Sequence, residues 1–195
     1  MEKWRRFKYL PVAPLGKNGQ LVTGSPEHIR LSRTAAAEGM VLLKNEKHLL
    51  PLRKGSRVAL FGKASADYVK GGGGSGDVTV AYVRNLCDGM EEKENAGMLS
   101  VFAPLNEFYR ENVAQQHKAG KNPGYTTEPE VPAELLKQAA RECDTAIISI
   151  CRFSAEGWDR KGEPDDGDFY LSREEQRMVA DVTAAFRKDV GGLDV

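Results

Sequence analysis

The apolar residues form two kinds of pattern, and segments of the two kinds alternate along the chain. The mostly apolar segments at 57–62 and 145–151 are typical of strands that are buried on both faces. Apolar residues spaced by three or four positions, at 99–116, 132–142 and after Ser172, predict helices with one buried face. Strands and helices that alternate at this spacing predict an α/β domain with a mostly parallel sheet and helices on both of its faces.

Local signals set the predicted ends of the helices. Ser25 followed by Pro26 predicts the start of a helix that continues through Glu38. Ser172 and Glu175 form a capping box at the start of the last helix. The buried positions expected on the three later helices are Leu105, Tyr109, Val113, Leu135, Leu136, Ala139, Ala140, Met178, Val179, Val182 and Phe186.

Three segments of the sequence show no helical period. Residues 1–24 contain scattered proline and glycine and are interpreted as a leader or wrapping segment, so the predicted domain spans 25–195. The apolar run Met40–Leu43 predicts a short buried strand. Residues 121–129 contain asparagine, proline and glycine and predict an exposed loop.

Composition excludes several classes of function. Lys plus Arg and Asp plus Glu are both 28, and a net charge of zero argues against the basic face that non-specific nucleic-acid binding needs. No apolar run approaches the roughly 20 residues of a membrane-spanning helix. The three cysteines lack CxxC spacing and fit free thiols in a reducing, cytoplasmic location. The three histidines show no ligand spacing, so no metal site and no cofactor are expected.

A glycine-rich segment, KGGGGSGDV at 70–78, is the first candidate for chemistry. It contains GxGxxG, but it begins eight residues after Gly62 and leads into Val78-Thr79-Val80, a poor helix start, which disfavours a dinucleotide loop. A flexible surface turn is one interpretation. The other is a loop whose backbone approaches a ligand closely, with Ser75 as its hydrogen-bonding side chain.

The segment CRFSAEGWDR at 151–160 is the second candidate. It follows a predicted core strand and carries Glu156 between Ala155 and Gly157, with Trp158 nearby. A single loop carboxylate is most often a solvated residue. Small neighbours, a possible stacking face and a strand end that fixes the position favour a general acid instead.

Five motifs in order carry a family resemblance. HIRLSRTAAAEGMVLLKN, LLPL, VALFGK, KGGGGSGDV and SAEGWDRKGEPDDGDFYLSREEQ resemble the second domain of glycoside hydrolase family 3, which includes β-glucosidases. The resemblance covers roughly residues 26–188. It implies a six-stranded α/β sandwich that packs against a (β/α) barrel, with the active site between the two domains.

The resemblance also implies roles for individual residues. Glu156 matches the acid/base glutamate of a retaining β-glycosidase, Ser75 matches a sugar-hydroxyl contact, and Trp158 borders the site. The nucleophilic aspartate of the family belongs to the barrel. In a retaining enzyme the two carboxyl groups lie about 5–5.5 Å apart across the scissile bond.

The chain departs from the family pattern in two ways. No barrel sequence is present, and the apolar strand expected after Lys188 is missing, so an incomplete sandwich is expected. A piece of an enzyme with the barrel after the sandwich, or a truncated product, fits this pattern. The expected function is the acid/base part of a β-glycosidase that acts on β-linked glucosides or oligosaccharides with a barrel partner, and is inactive alone. The alternatives are an inactive carbohydrate-binding or interaction remnant and a flavodoxin-like nucleotide-binding domain.

Overall fold

The protein is described by a computed structural model over nine stretches of the sequence. These are residues 17–19, 24–45, 48–69, 80, 82–122, 124–154, 156–157, 160–164 and 169–186. The chain divides into two compact units, Met1–His48 and Leu49–Val195.

The first unit contains helix α1, Pro26–Glu38, as the sequence predicts. The Ser25 hydroxyl accepts a hydrogen bond from the His28 amide at 3.3 Å, which caps the start of the helix. The apolar run that follows was predicted to be a buried strand, and this prediction was wrong. Met40, Val41, Leu42 and Leu43 are 60–92% exposed and form no strand. Apolar character alone does not supply the neighbouring strand whose backbone groups a strand must pair with.

The second unit alternates strands and helices. Its elements are β1 (Arg57–Phe61), a short 3₁₀ turn (Lys63–Ser65), α2 (Leu86–Asn95), β2 (Ser100–Val101), α3 (Ala103–Lys118), α4 (Ala133–Glu142), β3 (Thr145–Ile148) and α5 (Arg173–Phe186). The sheet has the order β2-β1-β3 and both pairings are parallel. This confirms the predicted α/β class and the parallel sheet.

Six strands were expected, and the described residues contain three. The number six came from the family resemblance, whereas the apolar pattern itself marks only β1 and β3 clearly. β2 is two residues long and lies where the start of a helix was predicted, so α3 begins only at Ala103. Helix α2 was not predicted, because it is mostly polar and buries only Cys87 fully.

Side chains of β1 alternate between the two faces of the sheet. On one face, Ala59 and Phe61 pack with residues of α3, α4 and α5. On the other face, Val58 and Leu60 pack with Cys87 of α2. The rings of Phe61 and Phe186 meet edge to face at 5.8 Å and fix α5 on the first face. Helices therefore cover both faces, as the sequence predicts.

None of the helices in these described stretches is both long and apolar enough to cross a lipid bilayer.

Candidate functional site

The strands β1 and β3 are neighbours and end side by side at the carboxyl edge of the sheet. The Ser149 amide donates to the Phe61 carbonyl at 2.8 Å and extends the pairing past the end of β3. Gly62 follows β1 with φ of 90°, and a Cβ atom placed there would lie 2.2 Å from the Ser149 carbonyl oxygen. Only glycine allows this close backbone approach. The loops after β1 and β3 therefore start from one place.

The segment after β3 is held by two consecutive side chains. The Arg152 guanidinium donates to both carboxylate oxygens of Glu175, at 2.8 and 2.6 Å. Phe153 contacts the Tyr125 ring edge to face at 6.1 Å and lies against Gly124, where a Cβ atom would be 2.1 Å from the ring. Anchors on α5 and on the segment that precedes α4 thus fix the first residues of this loop.

The segment after β1 is held by a polar cluster of Lys63, Asp67, Thr126 and Glu128. The Lys63 amide donates to Oε2 of Glu128 at 2.8 Å, and its Nζ donates to the Thr126 hydroxyl at 2.9 Å. The Thr126 hydroxyl donates to Oδ2 of Asp67 at 3.0 Å. Thr126 and Glu128 are only 4% and 6% exposed, so the prediction that residues 121–129 form an exposed loop is wrong for these two.

Burial controls the proton affinities in this cluster. It raises the pKa of Glu128 to about 7, against the opposing effects of the Lys63 amide, the Tyr109 hydroxyl and the Lys63 charge. Burial also lowers the pKa of the Lys63 amine, although the Asp67, Glu128 and Glu175 carboxylates oppose this change. The pKa of the fully buried Tyr109 is raised, again mainly by burial.

Of the three predicted site residues, Glu156 lies within the described chain. It is exposed and forms a turn with Gly157, whose φ of 77° favours glycine. Ser75 and Trp158 lie outside the described residues, as does the whole glycine-rich segment at 70–78. Glu156 is thus an accessible carboxyl group on a loop whose start is anchored, and such a group can give and take a proton.

Among the residues that the structure describes, no three His, Cys, Asp or Glu side chains are arranged to hold a metal ion. A cavity of about 180 Å³ lies between α4 and α5, lined in part by Val131, Leu136, Met178 and Arg177. Glu156 does not line this cavity. The three cysteines, all within described stretches, form no disulfide.

Sequence reasoning missed three residues beside the candidate site. Glu128 was assigned to an exposed loop, Arg152 had no role, and Glu175 was interpreted only as part of a capping box. The capping box is present, since the Ser172 amide donates to Oε2 of Glu175 at 2.8 Å and the Glu175 amide donates to the Ser172 hydroxyl at 3.1 Å. The sequence separations of 65 and 23 residues give no signal that Glu128 meets Lys63 or that Glu175 meets Arg152.

Comparison with known families confirms the resemblance. The model of the "Glycosyl hydrolase family 3 C-terminal domain" matches residues 40–191. Beta-glucosidase A of Butyrivibrio fibrisolvens is 49% identical over 99% of this chain, which corresponds to 26% of that protein. A beta-glucosidase of Ruminococcus albus is 36% identical over 87% of this chain and 18% of its own length.

Solved structures show the same likeness. Beta-glucosidase 3B from Thermotoga neapolitana, solved in complex with α-D-glucose, has a TM-score of 0.70 and 32% identity. The match covers 84% of this chain and 23% of that one. A beta-glucosidase from Paenibacillus barengoltzii has a TM-score of 0.71 and 32% identity, covering 80% of this chain and 17% of its own. The chain therefore spans about a quarter or less of these relatives.

Proposed function

Because the chain belongs to glycosyl hydrolase family 3, we propose that it is the acid/base domain of a retaining β-glycosidase that acts on β-linked glucosides. Glu156 is the proposed general acid and base. The observation that carries this proposal is the exposed Glu156 carboxyl group on a loop at the carboxyl edge of a parallel sheet, where ligands of open α/β sheets bind. Both residues at the start of that loop, Arg152 and Phe153, are anchored.

The proposed reaction needs two carboxyl groups. One attacks the anomeric carbon, and the other, Glu156, protonates the departing glycosidic oxygen and then deprotonates water. We assign the attacking carboxylate to a barrel domain that joins this chain in the working enzyme. Ser75 and Trp158 remain proposed sugar contacts. The division into a leader at 1–24 and a partial sandwich at 25–195, and the cytoplasmic location, also remain predictions.

The first test uses the isolated chain. We expect purified protein to show no turnover of an aryl β-glucoside, because the attacking carboxylate is supplied by the barrel. Turnover that is lost in Glu156→Gln would contradict the assignment of the nucleophile to another domain, since this chain would then contain both carboxyl groups.

The second test places Glu156 in a complete enzyme. The segment of the Butyrivibrio fibrisolvens enzyme that matches this chain is replaced by this chain, which aligns over 99% of its length. Glu156→Gln should lower kcat/KM for cellobiose by about a hundredfold or more, within the range usual for acid–base catalysis. The kcat/KM for a dinitrophenyl β-glucoside should fall far less, because it reports the step in which the leaving group departs, and this leaving group departs without protonation.

Glu163→Gln serves as the matched control, since Glu163 is another exposed carboxylate in the same loop. It should change neither rate appreciably. If Glu156→Gln slows both substrates equally, or neither, Glu156 is not the general acid.

A further inference from the structure

We propose that Arg152 and Glu175 form a clamp that positions Glu156, an inference that rests on the proposed role of Glu156 as the acid/base. The two side chains meet as a fork, with two N–H groups on two carboxylate oxygens at 2.8 and 2.6 Å. Arg152 is 21% exposed and Glu175 is 7% exposed at the side chain. Arg152 and Glu175 are therefore positioning residues.

The clamp joins the two ends of the loop that carries Glu156. Besides Glu175, the Arg152 guanidinium donates to the carbonyl of Cys151 at 2.9 Å and to the carbonyl of Tyr170 at 3.1 Å. Cys151 precedes the loop and Tyr170 follows it. One side chain thus ties the chain before Glu156 to the chain after it, which reduces the range of positions open to Glu156.

Glu175 connects this closure to the core. It sits in the first turn of α5, where its carboxylate also accepts the Ser172 amide at 2.8 Å. The same helix buries Met178, Val182 and Phe186 against the sheet. Because α5 is fixed by this packing, the carboxylate of Glu175 has a fixed position, and Arg152 transmits that position to the loop.

The Arg152–Glu175 ion pair is better suited to orienting the loop than to stabilising the fold. A buried ion pair often contributes little net stability, because removing both charges from water offsets their attraction. The planar guanidinium fork, however, fixes direction as well as distance, which a lysine ammonium group does not. Phe153, the next residue, packs on Gly124 and Tyr125. Together these contacts determine the direction in which the chain reaches Glu156.

The test measures amide hydrogen exchange in the 195-residue chain itself, with millisecond labelling. Arg152→Lys keeps the charge but loses the fork. We expect the amides of 153–157 to exchange about ten- to a hundredfold faster, the effect usual for losing charged hydrogen bonds. The exchange rates of the β1 amides should change only by the amount that the variant's loss of global stability explains, and that loss is measured separately. Glu175→Gln, which keeps the cap but loses the charge, should show the same local effect.

Arg177→Lys is the matched control. Arg177 lies on the same helix and forms an exposed ion pair with Glu130 at 3.5 Å, so its replacement should leave loop exchange unchanged. In Arg152→Ala, added guanidinium ion at a non-denaturing concentration should restore slow exchange of the loop. Loop amides that exchange at unprotected rates in the wild type, or that change only in proportion to β1, would overturn the clamp.

A second readout connects the clamp to catalysis. In the domain-replacement enzyme, Arg152→Lys should lower kcat/KM for cellobiose about tenfold and should leave kcat/KM for the dinitrophenyl glucoside nearly unchanged. Equal losses for both substrates would indicate general structural damage and would overturn the positioning role. If Glu156→Gln lacks the leaving-group dependence, the acid/base assignment fails, whereas the exchange experiment still decides whether the clamp holds the loop.

Discussion

Gly62→Ala is expected to destabilise the folded chain by about 4 kcal/mol, combining backbone strain with overpacking. Residues other than glycine rarely adopt the backbone φ of 90° found at this position. The added Cβ would also lie 2.2 Å from the Ser149 carbonyl oxygen, and backbone atoms of two paired strands cannot move apart cheaply. Urea-induced unfolding monitored by circular dichroism measures the change.

Gly120→Ala separates the two causes. Gly120 has nearly the same φ, 92°, but a Cβ there would meet no atom within 4 Å. It should therefore cost only about 1–2 kcal/mol, the strain of the backbone alone. If the two variants lose equal stability, the close approach of Gly62 to Ser149 relaxes easily and does not hold the strand ends together.

Glu128→Gln is expected to change how stability depends on pH. Burial raises the pKa of Glu128 to about 7 in the folded state, compared with 4.5 for an ordinary glutamate. The folded chain thus binds this proton more tightly than the unfolded chain does. The resulting stability is fully present below pH 4.5 and is lost as the pH rises through 7.

The glutamine variant removes that loss, because its amide stays neutral at every pH. It should match the wild type below pH 4.5 and exceed it above pH 7 by up to about 3 kcal/mol. Urea-induced unfolding across this pH range measures the difference. Glu130→Gln is the control, since Glu130 is exposed on the same segment. Its free energy of unfolding should differ little from that of the wild type at every pH. A constant offset between Glu128→Gln and wild type at all pH values would contradict the raised pKa.

Both predictions concern the starts of the two loops at the candidate site. Gly62 lets the ends of β1 and β3 approach, and Glu128 holds the amide of the next residue, Lys63. Arg152 and Glu175 then act farther along the second loop. These side chains thus mainly fix where each loop begins.

Local rules determined much of the fold from the sequence. Ser25 and the pair Ser172 and Glu175 cap their helices as predicted, because capping depends on residues three positions apart. The spacing of Leu105, Tyr109 and Val113 gave the buried face of α3 correctly, because helical periodicity is a property of the local chain. The order of motifs gave the family, and with it the proposed role of Glu156.

Tertiary structure alone decided the rest. The exposure of Met40–Leu43 depends on whether another strand is available to pair with this segment. An apolar segment of sequence does not contain that information. Glu128 is buried because it reaches Lys63 across 65 residues of chain, and Arg152 meets Glu175 across 23. Polar contacts of this kind have no periodic signature, since they arise only after the sheet and helices have brought distant segments together. The sequence therefore indicated which carboxylate to examine, while packing determined which side chains hold the two loops at their bases.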